Sequence, residues 1–255
     1  MPFLAFLATI LFISDVQIDM YDAYPESIAT IVVGQIGDHL VYDCGDLVEH
    51  AYSPEYATYA ALFPQVIAVP GNHDWYNDLF YYEYDQMVDV MDEGLHLVGM
   101  DTSLRRDSSA MEWLGTTLDD GSTFTVFFTH YPMYSDNVRN GGMAATVREW
   151  FLPTLDATQV ELVISGHGHA YERHVADGRT YLVIGGAGAH LDEVGFSDTQ
   201  VTSASLHHYV EITRSGQTVN VLVRGIDGGV VDLFAIDITT PTETKTWGQI
   251  KHLYR

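Results

Sequence analysis

Lysine is nearly missing from this chain: Lys245 and Lys251 are the only two in 255 residues. Arginine raises the basic count only to 11, against 35 acidic residues, leaving a formal net charge of −24. Such a surface repels phosphate backbones, which excludes a general nucleic-acid binder. Abundant carboxylate with scarce lysine also suits solubility at high ionic strength, where screening weakens self-repulsion. Folding stability is therefore expected to rise steeply between dilute and molar salt in a denaturant titration; indifference to salt would remove this reading of the composition. Cysteine is as scarce. Cys44 stands alone, so no internal disulfide can form, nothing depends on an oxidising compartment, and the thiol is expected to be a small buried apolar group. Long apolar runs are missing too. The opening MPFLAFLATILF has no basic segment and no small-residue cleavage site before Ser14, and it is shorter than a bilayer requires. It is expected to form a buried strand rather than a signal peptide or membrane span, which favours a cytoplasmic protein with no membrane partner.

What the chain does hold is an ordinary globular composition, 47% hydrophobic and 12% aromatic, enough for one sizeable core. Apolar runs of strand length recur through its first two-thirds: FLATILFISD, HLVYDCGD, QVIAVPGN, LHLVGMD, TFTVFFTH, VELVISGH and TYLVIGG. Most are separated by helical patterns. SPEYATYAALF offers Ser53 as an N-cap and Pro54 at the first helical position; MEWLGTTL and GGMAATVREWFLPTL space apolar residues by three and four. Buried strands alternating with helices predict an α/β fold with helix-covered sheets. The last third differs. HHYVEITRSGQTVNVLVRGIDGGVVDLFAIDI reads as three strands turning at Ser215-Gly216 and Asp227-Gly228-Gly229, an antiparallel meander. No repeat or linker interrupts the pattern, so one domain over residues 1–238 is expected, followed by a polar tail at 239–255.

The ends of the early strands carry the chemistry. The first ends in SDVQ, with Asp15 and Gln17; the second in CGD, with Asp46; the third in PGNHD, with Asn72, His73 and Asp74. The fifth ends in FFTH, with His130, and the sixth in SGHGH, with His167 and His169; the fourth, MDTS, adds Asp101 as a lesser candidate. In an α/β sheet the carboxyl ends of the strands form one rim, where ligands bind. A single Asp or Asn after a strand is ordinarily a turn or a cap. Five ends delivering only oxygen and nitrogen donors point instead to hard or borderline divalent ions such as Mn²⁺, Fe or Zn²⁺. Asp15, Gln17, Asp46, Asn72, His130, His167 and His169 are too many ligands for one tetrahedral ion. They suffice for two ions sharing a bridging carboxylate, the arrangement that activates water and clamps phosphoryl oxygens.

The order Asp-x-Gln, Gly-Asp, Gly-Asn-His-Asp, a lone His, then Gly-His-x-His resembles the calcineurin-like metallophosphoesterase superfamily. GHGHAYER, HYPMYS and the EWL at 112–114 most resemble its purple-acid-phosphatase-like branch. The likeness covers roughly residues 5–190 and implies a four-layer α/β/β/α sandwich of two mixed sheets flanked by helices. It implies a phosphohydrolase acting on a small phosphate ester, a monoester first, with a cyclic-nucleotide or other diester, or a metal-binding module without turnover, as alternatives. It also implies two divalent ions bridged by Asp46. Asp15, Gln17 and His169 complete one shell, Asn72, His130 and His167 the other, and metal-bound hydroxide attacks phosphorus. His73 binds no ion and sits over the substrate, stabilising developing charge or protonating the leaving oxygen. Asp74 either orients His73 or acts as a cap. Asn72, Tyr131 and Tyr171 are expected at the substrate; Arg173 is a candidate there too, with a salt bridge to a nearby acid as its favoured role.

Two positions depart from that branch. Its members carry a tyrosine ligand three residues after the bridging aspartate, and here that residue is Glu49, so neither tyrosinate colour nor a firm Fe³⁺ preference is expected. Gln17 stands where many superfamily members have histidine, and a neutral amide oxygen binds transition metals more weakly. His207 and His208 are expected on opposite faces of the meander, His190 near the rim, and the remaining histidines on the surface.

Overall fold

The protein is represented by a computed structural model that describes residues 9–37, 39–122 and 124–238. The first eight residues of the opening apolar run and the tail at 239–255 lie outside the described residues.

The first sheet is built from β1 (Ile10–Ile13), β2 (Val41–Asp43), β3 (Val66–Ala68), β11 (His208–Ser215), β12 (Thr218–Gly225) and β13 (Val230–Asp237), in the order β13-β12-β11-β1-β2-β3. The second contains β4 (Met87–Asp92), β5 (Leu95–Met100), β6 (Thr125–Thr129), β7 (Leu162–Ser165), β8 (Tyr171–Ala176), β9 (Arg179–Ile184) and β10 (Gln200–Ala204), in the order β10-β8-β9-β7-β6-β5-β4. Both are mixed. β1, β2 and β3 run parallel, whereas β11 to β13 form the expected antiparallel meander. Its turns fall where Gly216 and Gly228 adopt positive φ, 62° and 82°. The helices are α1 (Pro25–Ile36), α2 (Ser53–Leu62), α3 (Phe80–Glu83), α4 (Ser108–Leu118) and α5 (Ala144–Leu155).

Strand alternation sorts these elements into layers. Along β1, Ile10 and Phe12 face the second sheet and join Phe128, Ile164 and Ile184 in the central core. Leu11 and Ile13 face the other way and pack on Ala29, Val32, Tyr56 and Tyr59 of α1 and α2. The second sheet repeats the arrangement. Val126 and Phe128 point inward, while Phe127 and Val163 meet Met111, Leu114, Val147 and Phe151 of α4 and α5. The layer order is therefore helix, sheet, sheet, helix, as expected. Cys44 is fully buried in the central core.

Two local readings are corrected. The helix at Ser53 is capped from the residue before it: the Glu55 carboxylate accepts the N–H of Tyr52 at 3.0 Å, making Ser53 the first helical residue. Not every remaining histidine lies outside, because His96 and His174 are buried. Among the described residues no helix is long and apolar enough to cross a membrane.

One buried carboxyl supports the rim from below. Asp43, at the end of β2, is fully buried, and burial pushes its carboxyl well above the usual range. Its oxygens accept the Tyr59 hydroxyl at 2.6 Å and the Gly45 N–H at 2.9 Å. Tyr59→Phe is expected to destabilise the fold by about 1–3 kcal/mol, since it leaves a buried acceptor unmatched; chemical denaturation of both proteins measures this, and equal midpoints would contradict it.

Candidate metal centre

The carboxyl ends of β1, β2 and β3 meet those of β6 and β7 in one buried cluster. Two loops march together beneath it: Asp15 N–H donates to the Gly45 carbonyl at 3.0 Å and Gln17 N–H to the Asp46 carbonyl at 2.9 Å. Asp15, Gln17, Asp46 and His167 all adopt left-handed backbone, with φ of 59°, 46°, 57° and 66°. Side chains disfavour that region, at on the order of 1 kcal/mol or more each, and such strain collects where side-chain direction matters. Glycines make room for the carboxylates. A Cβ on Gly71 would overlap the Asp46 carboxylate, and one on Gly166 would overlap Ser14 Oγ and Asp15 Oδ2.

The seven candidate ligands converge. Ligand atoms of Asp46, His130 and His167 lie within 4.8 Å of one another. Asp46 Oδ2 is 3.3 Å from His130 Nε2 and 3.4 Å from Gln17 Nε2, and Asn72 Oδ1 is 3.2 Å from His130 Nε2. Asp15 Oδ1 stands 3.4 Å from His169 Nε2, while Asp15 Oδ2 accepts the Ser14 hydroxyl and the His167 N–H at 2.7 and 2.8 Å.

Backbone carbonyls set the histidine tautomers. His130 Nδ1 meets the Cys44 carbonyl at 3.0 Å, and His169 Nδ1 the His190 carbonyl at 2.9 Å. A carbonyl can only accept, so each Nδ1 carries its proton and each Nε2 turns a lone pair toward the carboxylates. In a neutral His130 that lone pair faces the oxygens of Asn72 and Asp46, which is repulsive unless a cation lies between them. Without one, a proton is the substitute. Burial opposes charge on His130, but the Asp46 carboxylate outweighs it and lifts the imidazole to about 9. Burial, together with the positive charge on neighbouring His130, pushes His167 down to about 4. Asp15 Oδ1 and Gln17 Oε1 are buried with no hydrogen-bond partner. Orphaned oxygens, inward lone pairs and an all-oxygen-and-nitrogen donor set fit a pair of divalent ions.

His73 is mounted differently. Its Nδ1 meets the Glu49 carbonyl at 2.8 Å and lies 3.4 Å from Glu49 Oε2, while its Nε2 is 4.0 Å from Asp46 Oδ2. Its side chain is 21% exposed, so the ring borders both the cluster and solvent. Tyr131 is also at the cluster, its ring centroid 4.3 Å from that of His167.

Other expected site residues have different roles. Asp74 does not orient His73: its Oδ2 accepts the N–H groups of Asp46, Gly71 and Leu47 at 2.8, 2.9 and 3.3 Å, and its Oδ1 accepts the Tyr56 hydroxyl. It thus braces the Asp46 loop. Burial and the Asp46 charge raise its carboxyl to about 7. Tyr171 is buried between the sheets and donates to Asp232 Oδ2 at 2.7 Å. Arg173 pairs with the same carboxylate at 2.7 Å. Both join β8 to β13 rather than meeting a substrate, because the alternation of β8 turns them toward the first sheet. Asp101 caps a turn, accepting the Ser103 N–H at 2.7 Å. His208 is buried and His207 partly exposed.

Sequence reasoning missed Asp192, whose Oδ2 accepts the His169 N–H at 3.2 Å. It lies 23 positions away with no motif around it, so only the fold reveals the contact. Glu49, at the position where the purple-acid-phosphatase-like branch has a tyrosine ligand, meets His73 Nδ1 through its backbone carbonyl, while its carboxylate Oε2, 3.4 Å from the same nitrogen, is buried without a hydrogen-bond partner.

A family model for calcineurin-like phosphoesterases matches residues 8–171. The chain belongs to the calcineurin-like phosphoesterase family. Members of this family act on phosphate esters and typically hold a dinuclear metal centre. No curated protein sequence matches this calcineurin-like chain. Its fold is similar to that of a purple acid phosphatase from yellow lupin (Lupinus luteus) seeds, with TM-score 0.76 at 16% identity; the match covers 96% of this chain but only 55% of the lupin protein. It is similar to GAP50, described as the anchor in the inner membrane complex of Plasmodium, with TM-score 0.72 at 12% identity over 96% and 93% of the two chains. A dimetal phosphatase from Danio rerio gives TM-score 0.67 at 15% identity over 91% and 99%. These likenesses establish the metallophosphoesterase fold, two mixed sheets flanked by helices.

Proposed function

We propose that this chain is a dinuclear metal-dependent phosphohydrolase acting on small phosphate monoesters. The observation that carries the reading is the cluster itself: inward imidazole lone pairs beside buried carboxylate and amide oxygens that have no partner. Asp15, Gln17 and His169 would hold one ion, Asn72, His130 and His167 the other, and the Asp46 carboxylate would serve both. Bound there, the ions would supply a nucleophilic water at neutral pH and neutralise charge on the phosphoryl oxygens. His73 supplies the proton for the leaving oxygen from Nε2, and Tyr131 borders the substrate beside His167. Glu49 holds Nδ1 through its carbonyl, with its carboxylate 3.4 Å from the same nitrogen. Glu49→Gln is therefore expected to lower turnover about 10-fold, more for alkyl than for aryl phosphates, since alkoxides need the proton more. An equal loss on both substrates would argue against this role.

The monoester preference rests on the resemblance of GHGHAYER and HYPMYS to the purple-acid-phosphatase-like branch. Turnover of an aryl phosphate against the matching bis-aryl phosphate, with added Mn²⁺, Fe²⁺ or Zn²⁺, tests it, and a faster diester would reverse the assignment. Likeness to the Plasmodium anchor GAP50 keeps a second reading, a scaffold without turnover. It predicts bound metal and no hydrolysis of either ester.

A further inference from the structure

The two faces of β8 have different tasks. Tyr171 and Arg173 point toward the first sheet and end on Asp232. Glu172 and His174 alternate to the opposite face, beside Tyr134, whose ring packs on Tyr181 of the helix-covered core. Both are completely buried, 0% exposed. Asp136, in the segment after β6, completes a trio whose ligand atoms lie within 4.8 Å of one another. The trio lies outside the cluster around Asp46 and shares no residue with it.

Hydrogen bonds already orient this group. Glu172 Oε1 accepts the Ser135 hydroxyl at 2.6 Å, and Oε2 accepts the Asp136 N–H at 2.6 Å. His174 Nδ1 meets Thr199 Oγ1 at 3.1 Å, which leaves Nε2 facing Glu172 Oε2 at 3.1 Å. One atom is left over. Asp136 Oδ2 is closed off from solvent and has no hydrogen-bond partner. Two carboxylates thus share a site where the imidazole can offer at most one positive charge, and an orphaned carboxylate oxygen is costly in such a place.

We infer that Asp136, Glu172 and His174 form an additional divalent-metal site, separate from the proposed dinuclear centre. Two carboxylate oxygens and one imidazole nitrogen suit Zn²⁺ or Mn²⁺ better than Ca²⁺, which prefers all-oxygen shells. A tetrahedral ion with bonds near 2.0–2.1 Å sets its nitrogen and oxygen ligands about 3.3 Å apart. His174 Nε2 and Glu172 Oε2, which form a direct hydrogen-bonded contact at 3.1 Å, are within a few tenths of an ångström of that spacing, as are the 3.3 and 3.4 Å pairs at His130 and His169. The ion's task is structural. Asn137, next to Asp136, donates through Nδ2 to Asp192 Oδ2 at 3.1 Å, and that oxygen also accepts the His169 N–H. Fixing Asp136 on β8 therefore holds the segment on which the Asp192 mount of His169 leans.

The inference does not depend on phosphatase activity and is tested without it. Full-length protein stripped with a chelator is reloaded with Zn²⁺, desalted and assayed for metal content, alongside Asp136→Asn and Asp46→Asn. Asp136→Asn is expected to retain one ion fewer than the wild type. Its melting temperature should gain less from added Zn²⁺. Asp46→Asn should lose ions from the dinuclear centre yet keep the one at His174. An equal metal content in Asp136→Asn and the wild type overturns the assignment. Should that variant fail to fold, anomalous diffraction from zinc-soaked wild-type crystals decides instead: a peak beside His174 Nε2 upholds the site, and peaks at the Asp46 cluster alone overturn it.

Discussion

Asp46→Asn is expected to cost the protein its bridged ion pair and to lower ester hydrolysis by more than about 100-fold. Even partners outside the ligand shell cost roughly 10–100-fold in metal affinity when removed, and Asp46 is proposed to touch both ions. Metal content after desalting, measured with turnover of an aryl phosphate, checks both parts; two retained ions would remove Asp46 from the bridging position. The metal-free protein provides an independent readout through pH. Asp74 is raised to about 7 by burial and by Asp46. A carboxyl with a raised folded pKa binds protons longer folded than unfolded, so stability falls from about pH 4 upward to 7. His130 is raised to about 9 because Asp46 outweighs its burial. The stability it contributes is full below its unfolded value near 6.5 and is lost as pH rises through 9. Both contributions therefore decline with rising pH, and Asp46 is a cause of each. The melting temperature of chelated wild type should fall more steeply between about pH 4 and 9 than that of chelated Asp46→Asn. Parallel pH profiles would show that Asp46 does not drive these shifts.

His73→Ala is expected to lower turnover by about 10²–10⁴-fold while leaving metal content unchanged, the range typical of a lost general acid. The distinction from Asp46 follows from geometry. His73 Nε2 lies 4.0 Å from Asp46 Oδ2 and its Nδ1 is occupied by the Glu49 carbonyl, so it borders the ligand cluster while facing solvent. The loss should grow as the leaving group becomes more basic, because an aryl oxide departs without a proton and an alkoxide does not. Unchanged turnover in the metal-loaded variant would exclude His73 from the reaction. A loss accompanied by missing metal would make it a support of the site instead.

How much of this could be read without coordinates differs from residue to residue. Asp15, Gln17, Asp46, Asn72, His130, His167 and His169 each follow an apolar run, and strand ends in an α/β chain gather on one rim. Their convergence was thus legible from local signals. Asp74, Tyr171 and Arg173 sit inside the same motifs, yet their side chains leave the site. Asp74 turns back to three N–H groups of neighbouring loops, and the period-two alternation of β8 sends Tyr171 and Arg173 to Asp232. A motif gives proximity along the chain, whereas direction depends on local backbone and pairing. Glu172 lies in the same motif yet nothing in the sequence sets it apart from its neighbours, and His174 and Asp192 lie outside every motif.

Composition and hydropathy alone settled the acidic surface, the absence of disulfides, the alternation of strands and helices and the row of donors at their ends. These are local properties, set by which groups a short segment must bury or solvate. Tertiary structure decided which carboxylate faces which imidazole, which tautomer each histidine carries, and where a buried acid is left without a partner. Those outcomes join residues as far apart as Asp15 and His167, 152 positions along the chain, and long-range contacts of that kind exist only once both sheets have formed.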